Sequence, residues 1–214
     1  MQWHETLTVA AMLVSSAACG GEQGQQQVST DQPPRQLPTV SGCEGCEAAW
    51  ERQPNTMVAS IALAGKDEAG ERLLLQGTVF KPDRRTPAPN VVIYIHQTNA
   101  AGRYAGGSDE SEWSRRHGRL RGWLKTGSDG RYEVRTIKPG QYPDRPSPAH
   151  IHFTVLEQGK DPYWIDDVVF EGAPGIDAKY KAEAEKRGGP GIVRLQPAPQ
   201  GGWSAKRDII LLRR

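Results

Sequence analysis

The chain has 214 residues, 36% hydrophobic and 24% charged, enough apolar material for one domain of ordinary size with additional segments. Acids and bases are interspersed to a net charge of +2, which supports neither a nucleic-acid partner nor an acidic substrate class. Short apolar runs broken by 24 Gly and 16 Pro read as a mainly β chain, with no internal repeat.

Residues 7–14 are an apolar run followed by small residues at 15–18 and then Cys19. The run is too short to span a bilayer but suits a secretory h-region, so residues 1–18 are expected to be a secretory or lipoprotein signal and Cys19 the lipidated position. Two features depart from that pattern: residues 1–6 hold no Lys or Arg, and Ser16 stands where Leu is usual. Residues 19–40, rich in Gln, Gly, Ser and Pro, cannot bury a core and are expected to form a flexible linker ahead of a domain at 41–214. The expected location is the periplasm or cell envelope, with membrane anchoring through Cys19. Cys43-Glu-Gly-Cys46 follows, a spacing open to a redox motif, half a zinc site or a local disulfide. No thioredoxin-like setting and no second Cys or His pair accompanies it, so in an oxidising compartment a Cys43–Cys46 disulfide is the economical reading.

Residues 58–64 and 73–80 read as two strands joined by a turn at 65–70. A strand at 90–95 then leads through Thr-Asn-Ala-Ala-Gly-Arg to Tyr104, with His96 as a packed or pocket-lining residue. Residues 108–121 are polar and basic and read as an irregular loop. Asp129-Gly130 predicts a hairpin turn within 124–137, placing Tyr132 on a strand as a packing residue. Further on, 168–170 reads as a strand, and 177–187 has the Ala, Glu and Lys content of a surface helix stopped by Gly188 and Gly189. Strands at 191–195 and 208–212 close the chain.

The chemistry concentrates at 141–153, Gln-Tyr-Pro-Asp-Arg-Pro-Ser-Pro-Ala-His-Ile-His-Phe. In a strand, Ile151, Phe153 and Val155 point one way and His150 and His152 the other. Alone, such a pair reads more readily as surface histidines on a half-solvated strand than as a metal site. Tyr142, however, sits eight residues upstream on a segment that Pro143, Pro146 and Pro148 keep out of helix and hold rigid, and Tyr104 offers a second phenol. A phenol with an ordinary pKa of about 10 needs a strongly charged metal to hold it ionised near neutral pH, which suits Fe(III) better than zinc or magnesium.

Gly-Arg-Tyr at 102–104, Asp-Gly-Arg-Tyr at 129–132, Thr-Ile-Lys-Pro-Gly-Gln-Tyr-Pro at 136–143 and Pro-Ala-His-Ile-His-Phe at 148–153 resemble the intradiol ring-cleavage dioxygenases, the protocatechuate and catechol dioxygenase family. Order and spacing agree over 73–174. The resemblance implies a β-sandwich, here with one short surface helix, and one non-haem ferric ion bound by Tyr104, Tyr142, His150 and His152. It further implies a small aromatic diol and dioxygen as substrates, with Tyr142 as the labile ligand that the diol displaces. The family carries an Arg where this chain has Ser147, so Arg145 is the candidate for stabilising charge on the bound ring. Asp167 stands where some members have a pocket Gln. The loop at 108–121 becomes a candidate lid, with Trp113 or Trp123 facing the substrate and its arginines meeting a carboxylate. One other reading remains open, an exported β-sandwich module that binds iron or ligand without turnover; a cupin-type centre using His150, His152 and Glu157 fails for want of a fourth ligand, since no His follows His152.

Overall fold

Alternation decides which face each strand buries. The computed structural model describes residues 45–107, 111–184 and 187–213, which lie in a single unit. Strand β1 (Ser60–Ala62) and strand β2 (Arg72–Phe80) belong to the first sheet; strands β3 (Val92–Gln97) and β4 (Arg121–Lys125) belong to the second. Strand β5 (Arg131–Ile137) returns to the first sheet, and strands β6 (His150–Leu156), β7 (Tyr163–Phe170) and β8 (Ile192–Val193) complete the second. Short strands β9 (Gln196–Pro197), β10 (Trp203–Lys206) and β11 (Ile209–Ile210) finish the first. The first sheet runs β1-β5-β2-β10-β9 with β11 also on β2, and the second runs β4-β3-β6-β7-β8.

Leu73, Leu75 and Val79 of β2 and Val134 of β5 meet Ile93, Ile95, Ile151, Phe153, Val155 and Ile165 of the second sheet in one core. Each such side chain contributes about 1.5–3 kcal/mol through removal from water. The short apolar runs predict a mainly β chain, and the sandwich is the one that the family resemblance implies. It leaves the other face of the second sheet free for polar and aromatic side chains.

Several expectations are corrected. The segments at 58–64 and 73–80 do not pair with one another: β1 runs parallel to β5, and β5 lies between β1 and β2. The turn at 65–70 does form, with the Glu68 N–H donating to Gly65 O at 3.1 Å and the Arg72 guanidinium gathering the carbonyls of Gly65, Lys66 and Glu68, but it does not bring β1 alongside β2. The Asp129-Gly130 turn forms, with Asp129 Oδ1 accepting from the Arg131 N–H, but it crosses between sheets: β4 pairs with β3 while β5 pairs with β2. Leu124 and Val134, both fully buried, face one another across the core instead of lying side by side.

The irregular loop expected at 108–121 contains helix α1 (Glu112–His117), and the single expected helix is realised as α2 (Ala178–Glu183), capped by Asp177. With a 3-10 turn at Cys46–Ala49, three short helical pieces are therefore present among the described residues. α1 forms because Ser111 and Ser114 make a capping box, and because Trp113 and His117, four residues apart, turn one face of the helix toward the sheet. The expected signal, the linker, Cys19 and Cys43 lie outside the described residues.

Candidate metal centre

Strand β6 buries Ile151, Phe153 and Val155 and leaves His150, His152 and Thr154 on the outer face of the second sheet. Opposite His152 on β3 stands His96, and the two rings stack with centroids 4.4 Å apart. On the other side the register breaks: Ile151 pairs with Val168 and Phe153 with Ile165, so the single residue His152 faces both Asp166 and Asp167. This β-bulge re-aims the second of the two acids. Asp167 Oδ1 thereby sits 2.9 Å from His152 Nδ1.

The two phenols arrive on loops that touch. Asn99 shapes the first, its Oδ1 accepting from the N–H groups of Ala101 and Arg103, each at 3.0 Å. Gly102, at φ 74°, then passes so close to the second loop that a Cβ would lie 1.8 Å from the Gln141 carbonyl oxygen. Gly140 returns the approach, donating its N–H to Asn99 O at 2.9 Å while its own carbonyl accepts from Thr98 Oγ1. Glycine is required at both places because the backbones are in contact. Tyr104 and Tyr142 consequently meet, Oη to Oη, at 2.6 Å.

The structure thus brings together all four predicted ligand side chains. Tyr104 Oη is 2.9 Å from His152 Nε2, Tyr142 Oη is 3.2 Å from His150 Nε2, and the two Nε2 atoms are 3.0 Å apart. Proton placement makes this cluster unusual. His150 Nδ1 lies 2.6 Å from the Pro148 carbonyl, which can only accept, so Nδ1 carries the proton; the Asp167 carboxylate fixes His152 in the same way. Both Nε2 atoms are then lone pairs pointed at one another. Two phenolic protons can occupy only two of the four close contacts among these oxygens and nitrogens and leave lone pairs opposed in the other two, whereas a cation among them meets all four donor atoms, and histidines tied at Nδ1 are the usual form for ligation.

Electrostatics agree with that assignment of protons. Burial, then the Tyr142 hydroxyl, push the Tyr104 phenol well above its ordinary pKa, so ionising it requires a strong nearby positive charge. Burial and then His152 push His150 down, keeping it neutral. Asp167 also lies within 4.8 Å of ligand atoms of both histidines. Its carboxylate engages the Nδ1 side of His152, away from Nε2, which makes it a partner of that candidate ligand.

A cavity of about 480 Å³ opens beside the cluster, lined by Tyr104, His152, Asp167 and His96 and by the cations Arg116 and Arg145. The Arg145 guanidinium lies 4.2 Å over the Tyr142 ring. Ser147 donates its backbone N–H to Arg145 O at 2.8 Å and does not line the cavity. His117 of α1 stacks on His96 at 3.8 Å and pairs with Tyr94 Oη at 2.9 Å; burial, then His152, pull its pKa down to about 3. Cys46, disulfide-bonded, contributes to the wall.

One expectation about the pocket is corrected, and the cupin-type alternative finds no support. Trp113 packs with Tyr94, Ala48 and Ala49, and Trp123 donates to Ala49 O at 2.7 Å; the tryptophan that lines the cavity is the exposed Trp164. Glu157 accepts from Tyr163 Oη at 3.0 Å and pairs with Lys160, away from the cluster, which removes the cupin-type set. Sequence reasoning missed His117 and the Asp167 partnership. The only signal for the latter is an Asp-Asp pair inside an otherwise apolar strand.

A family model described as Dioxygenase matches residues 48–187. The protocatechuate 3,4-dioxygenase beta chain of Burkholderia cepacia is 31% identical over 158 residues, covering 71% of this chain and 60% of that protein. Catechol 1,2-dioxygenase of Acinetobacter baylyi is 30% identical over 139 residues (52% and 44%), and hydroxyquinol 1,2-dioxygenase of Rhizobium sp. 29% over 190 residues (73% and 59%). The match therefore spans from 44% to 60% of the length of these relatives. Among solved structures, the dioxygenase domain of a dioxygenase carbohydrate-binding protein fusion from Streptomyces sp. SirexAA-E superposes with a TM-score of 0.53 at 22% identity, covering 82% of this chain and 97% of that one. Catechol 1,2-dioxygenase from Acinetobacter sp. ADP1 gives 0.55 at 23% identity, covering 73% and 58%. At these identities the structural likeness is one of fold.

Proposed function

The chain belongs to the intradiol ring-cleavage dioxygenase family, and on that premise we propose that it is a non-haem Fe(III) enzyme cleaving a catechol-type ring between its two hydroxylated carbons. Both atoms of dioxygen enter the product, a cis,cis-muconate-type diacid, so diol and dioxygen balance without a further reductant. The observation that carries this reading is the meeting of Tyr104 Oη, Tyr142 Oη, His150 Nε2 and His152 Nε2, with both Nδ1 atoms already tied. Ferric iron held by these four would supply Lewis acidity and a template for both substrates.

The residues divide the work by how firmly they are held. His150 and His152 are fixed by β6 and by their Nδ1 partners, and Tyr104 by the glycine contact with the neighbouring loop. Tyr142 rides on the Pro-rich loop and would be the ligand that gives way to the diol, its phenolate oxygen able to take up a diol proton. Arg145 lines the cavity and lies over the Tyr142 ring, so its fixed cation faces the place where negative charge gathers on the bound ring. His96 and His117, kept neutral by burial, add no competing charge.

Metal analysis and the visible spectrum of purified protein test the proposal: one iron per chain and a red phenolate charge-transfer band are expected. A colourless protein with stoichiometric zinc, or colour surviving Tyr104→Phe combined with Tyr142→Phe, refutes it. Ser147, in the place of the family Arg, favours a second reading, a module that keeps iron without turnover. A red protein inert to every catechol and made active by Ser147→Arg would establish that reading instead.

We also propose export and anchoring through a lipidated Cys19, with Cys43 pairing to Cys46. The signal-like residues and the oxidised state of Cys46 support this. Mass spectrometry showing unmodified Cys19 in a cytoplasmic fraction would reject it.

A further inference from the structure

Arg207 is the largest fully buried side chain among the described residues, 1% exposed, on the link between β10 and β11 of the first sheet. Its backbone is clamped. The N–H donates to Gln76 O at 2.9 Å and the carbonyl accepts from Tyr132 Oη at 2.6 Å. β2 passes so near that a Cβ on Gly77 would fall 1.9 Å from the Arg207 carbonyl oxygen. The tyrosine of the Asp-Gly-Arg-Tyr motif is thus more than packing: it holds this arginine in place.

The guanidinium reaches the second sheet. Nη1 donates to Gly189 O at 2.8 Å and Nη2 to Asp166 O at 3.2 Å. A permanently charged group in a dry interior is costly, and a well-packed apolar residue often serves stability as well or better. Its position has a chemical reason. A bulge removes backbone groups from the ladder, and Asp166 is the first residue of the bulge that turns Asp167 onto His152. Burial pulls the guanidinium below the usual arginine pKa, and Tyr132 and the carboxylates of Asp166, Asp167 and Asp208 oppose that pull. The cation is therefore felt at Asp167 as well as at the Asp166 carbonyl.

We propose that Arg207 is a positioning residue for the metal centre, fixing the Asp166–Asp167 bulge from below so that the Asp167 carboxylate stays on His152 Nδ1. The inference rests on His152 being an iron ligand. It places the control of that ligand on the opposite sheet, three contacts from the ion.

A double-variant cycle on the full chain tests it. Ferric iron presented as its nitrilotriacetate complex is titrated into metal-free protein, and affinity is read from the charge-transfer band with melting temperature recorded for each variant. Arg207→Met should weaken iron binding about tenfold, the lower end for losing an outer partner of a ligand. Arg207→Lys, which keeps a buried cation, should recover most of that loss. On the Asp167→Ala background, Arg207→Met should change affinity less than about twofold, because the route through Asp167 is already cut. If Arg207→Met fails to fold, Arg207→Gln, which retains one amide donor, is taken through the same cycle with the same criterion. A loss that persists undiminished on the Asp167→Ala background, or a folded Arg207 variant with unchanged iron affinity, overturns the proposal. An unaltered chain that binds no ferric iron overturns the ligand assignment and this inference with it, whereas tight binding without coupling overturns this inference alone.

Discussion

Replacing Asp167 with Ala removes the carboxylate that fixes His152. The contact is short, 2.9 Å from Oδ1 to Nδ1, and a hydrogen bond to a charged group contributes about 1.5–3 kcal/mol. The two side chains are 28% and 33% exposed, so water screens part of that and the lower bound applies, about 1.5 kcal/mol. One further effect acts in the same direction: without an acceptor at Nδ1 the imidazole proton can move to Nε2, removing the lone pair aimed at the other three donor atoms. Ferric iron should therefore bind about tenfold more weakly. Asp167→Asn, whose amide oxygen can still accept, should lose less. Competition with nitrilotriacetate, followed at the phenolate band, measures both. The band itself should persist in position, because Tyr104 and Tyr142 are untouched. An Asp167→Ala protein that binds iron within twofold of the parent, with unchanged melting temperature, would show that the carboxylate does not hold the ligand.

Arg145→Ala should leave iron and colour intact while lowering kcat for a catechol by about a hundredfold or more, the scale of one lost electrostatic contact in a dry site; unchanged steady-state kinetics would retire its role. The metal-free protein should lose stability in mild acid. His117 has a folded-state pKa of about 3 against 6.5 when unfolded, so the unfolded chain binds the extra proton: stability is full above pH 6.5 and falls as pH drops toward 3, by about 1.4 kcal/mol per pH unit from this group. Urea denaturation at pH 7, 6 and 5 reads the slope, and His117→Gln should flatten it; a slope indifferent to that change would contradict the burial argument.

The Tyr–Tyr–His–His cluster is more legible in the sequence than the topology is, for a physical reason. Alternation in His-Ile-His-Phe fixes which face the imidazoles take whatever the neighbouring strands do. The phenols are legible because proline restricts one loop and Gly-Arg-Tyr ends the other. Strand pairing is set instead by which apolar faces meet across the core. An Asp-Gly turn that forms as expected between β4 and β5 therefore says nothing about whether its strands lie side by side or face to face. The bulge at Asp166 and Asp167 is illegible for a related cause: an inserted residue leaves no mark in a strand whose polar positions are already few. α1 was obscured by its charge, since Glu112, Arg115 and Arg116 mask the two aromatic rings at Trp113 and His117 that seat it.

The cluster is mounted on the outer face of the second sheet, while the apolar packing that holds the fold together is on the inner face of the same strands. Apart from the Arg207 contact with the Asp166 carbonyl, the cluster and that packing are thereby kept apart by the thickness of a single backbone. Of the pieces that wall the cavity, the turn at Cys46–Ala49 and α1 carry no proposed ligand and contribute nothing to the sandwich interior. Those two can diverge like interchangeable tooling on a fixed bench, altering which molecule is admitted while leaving untouched the four clustered side chains and the packing between the sheets.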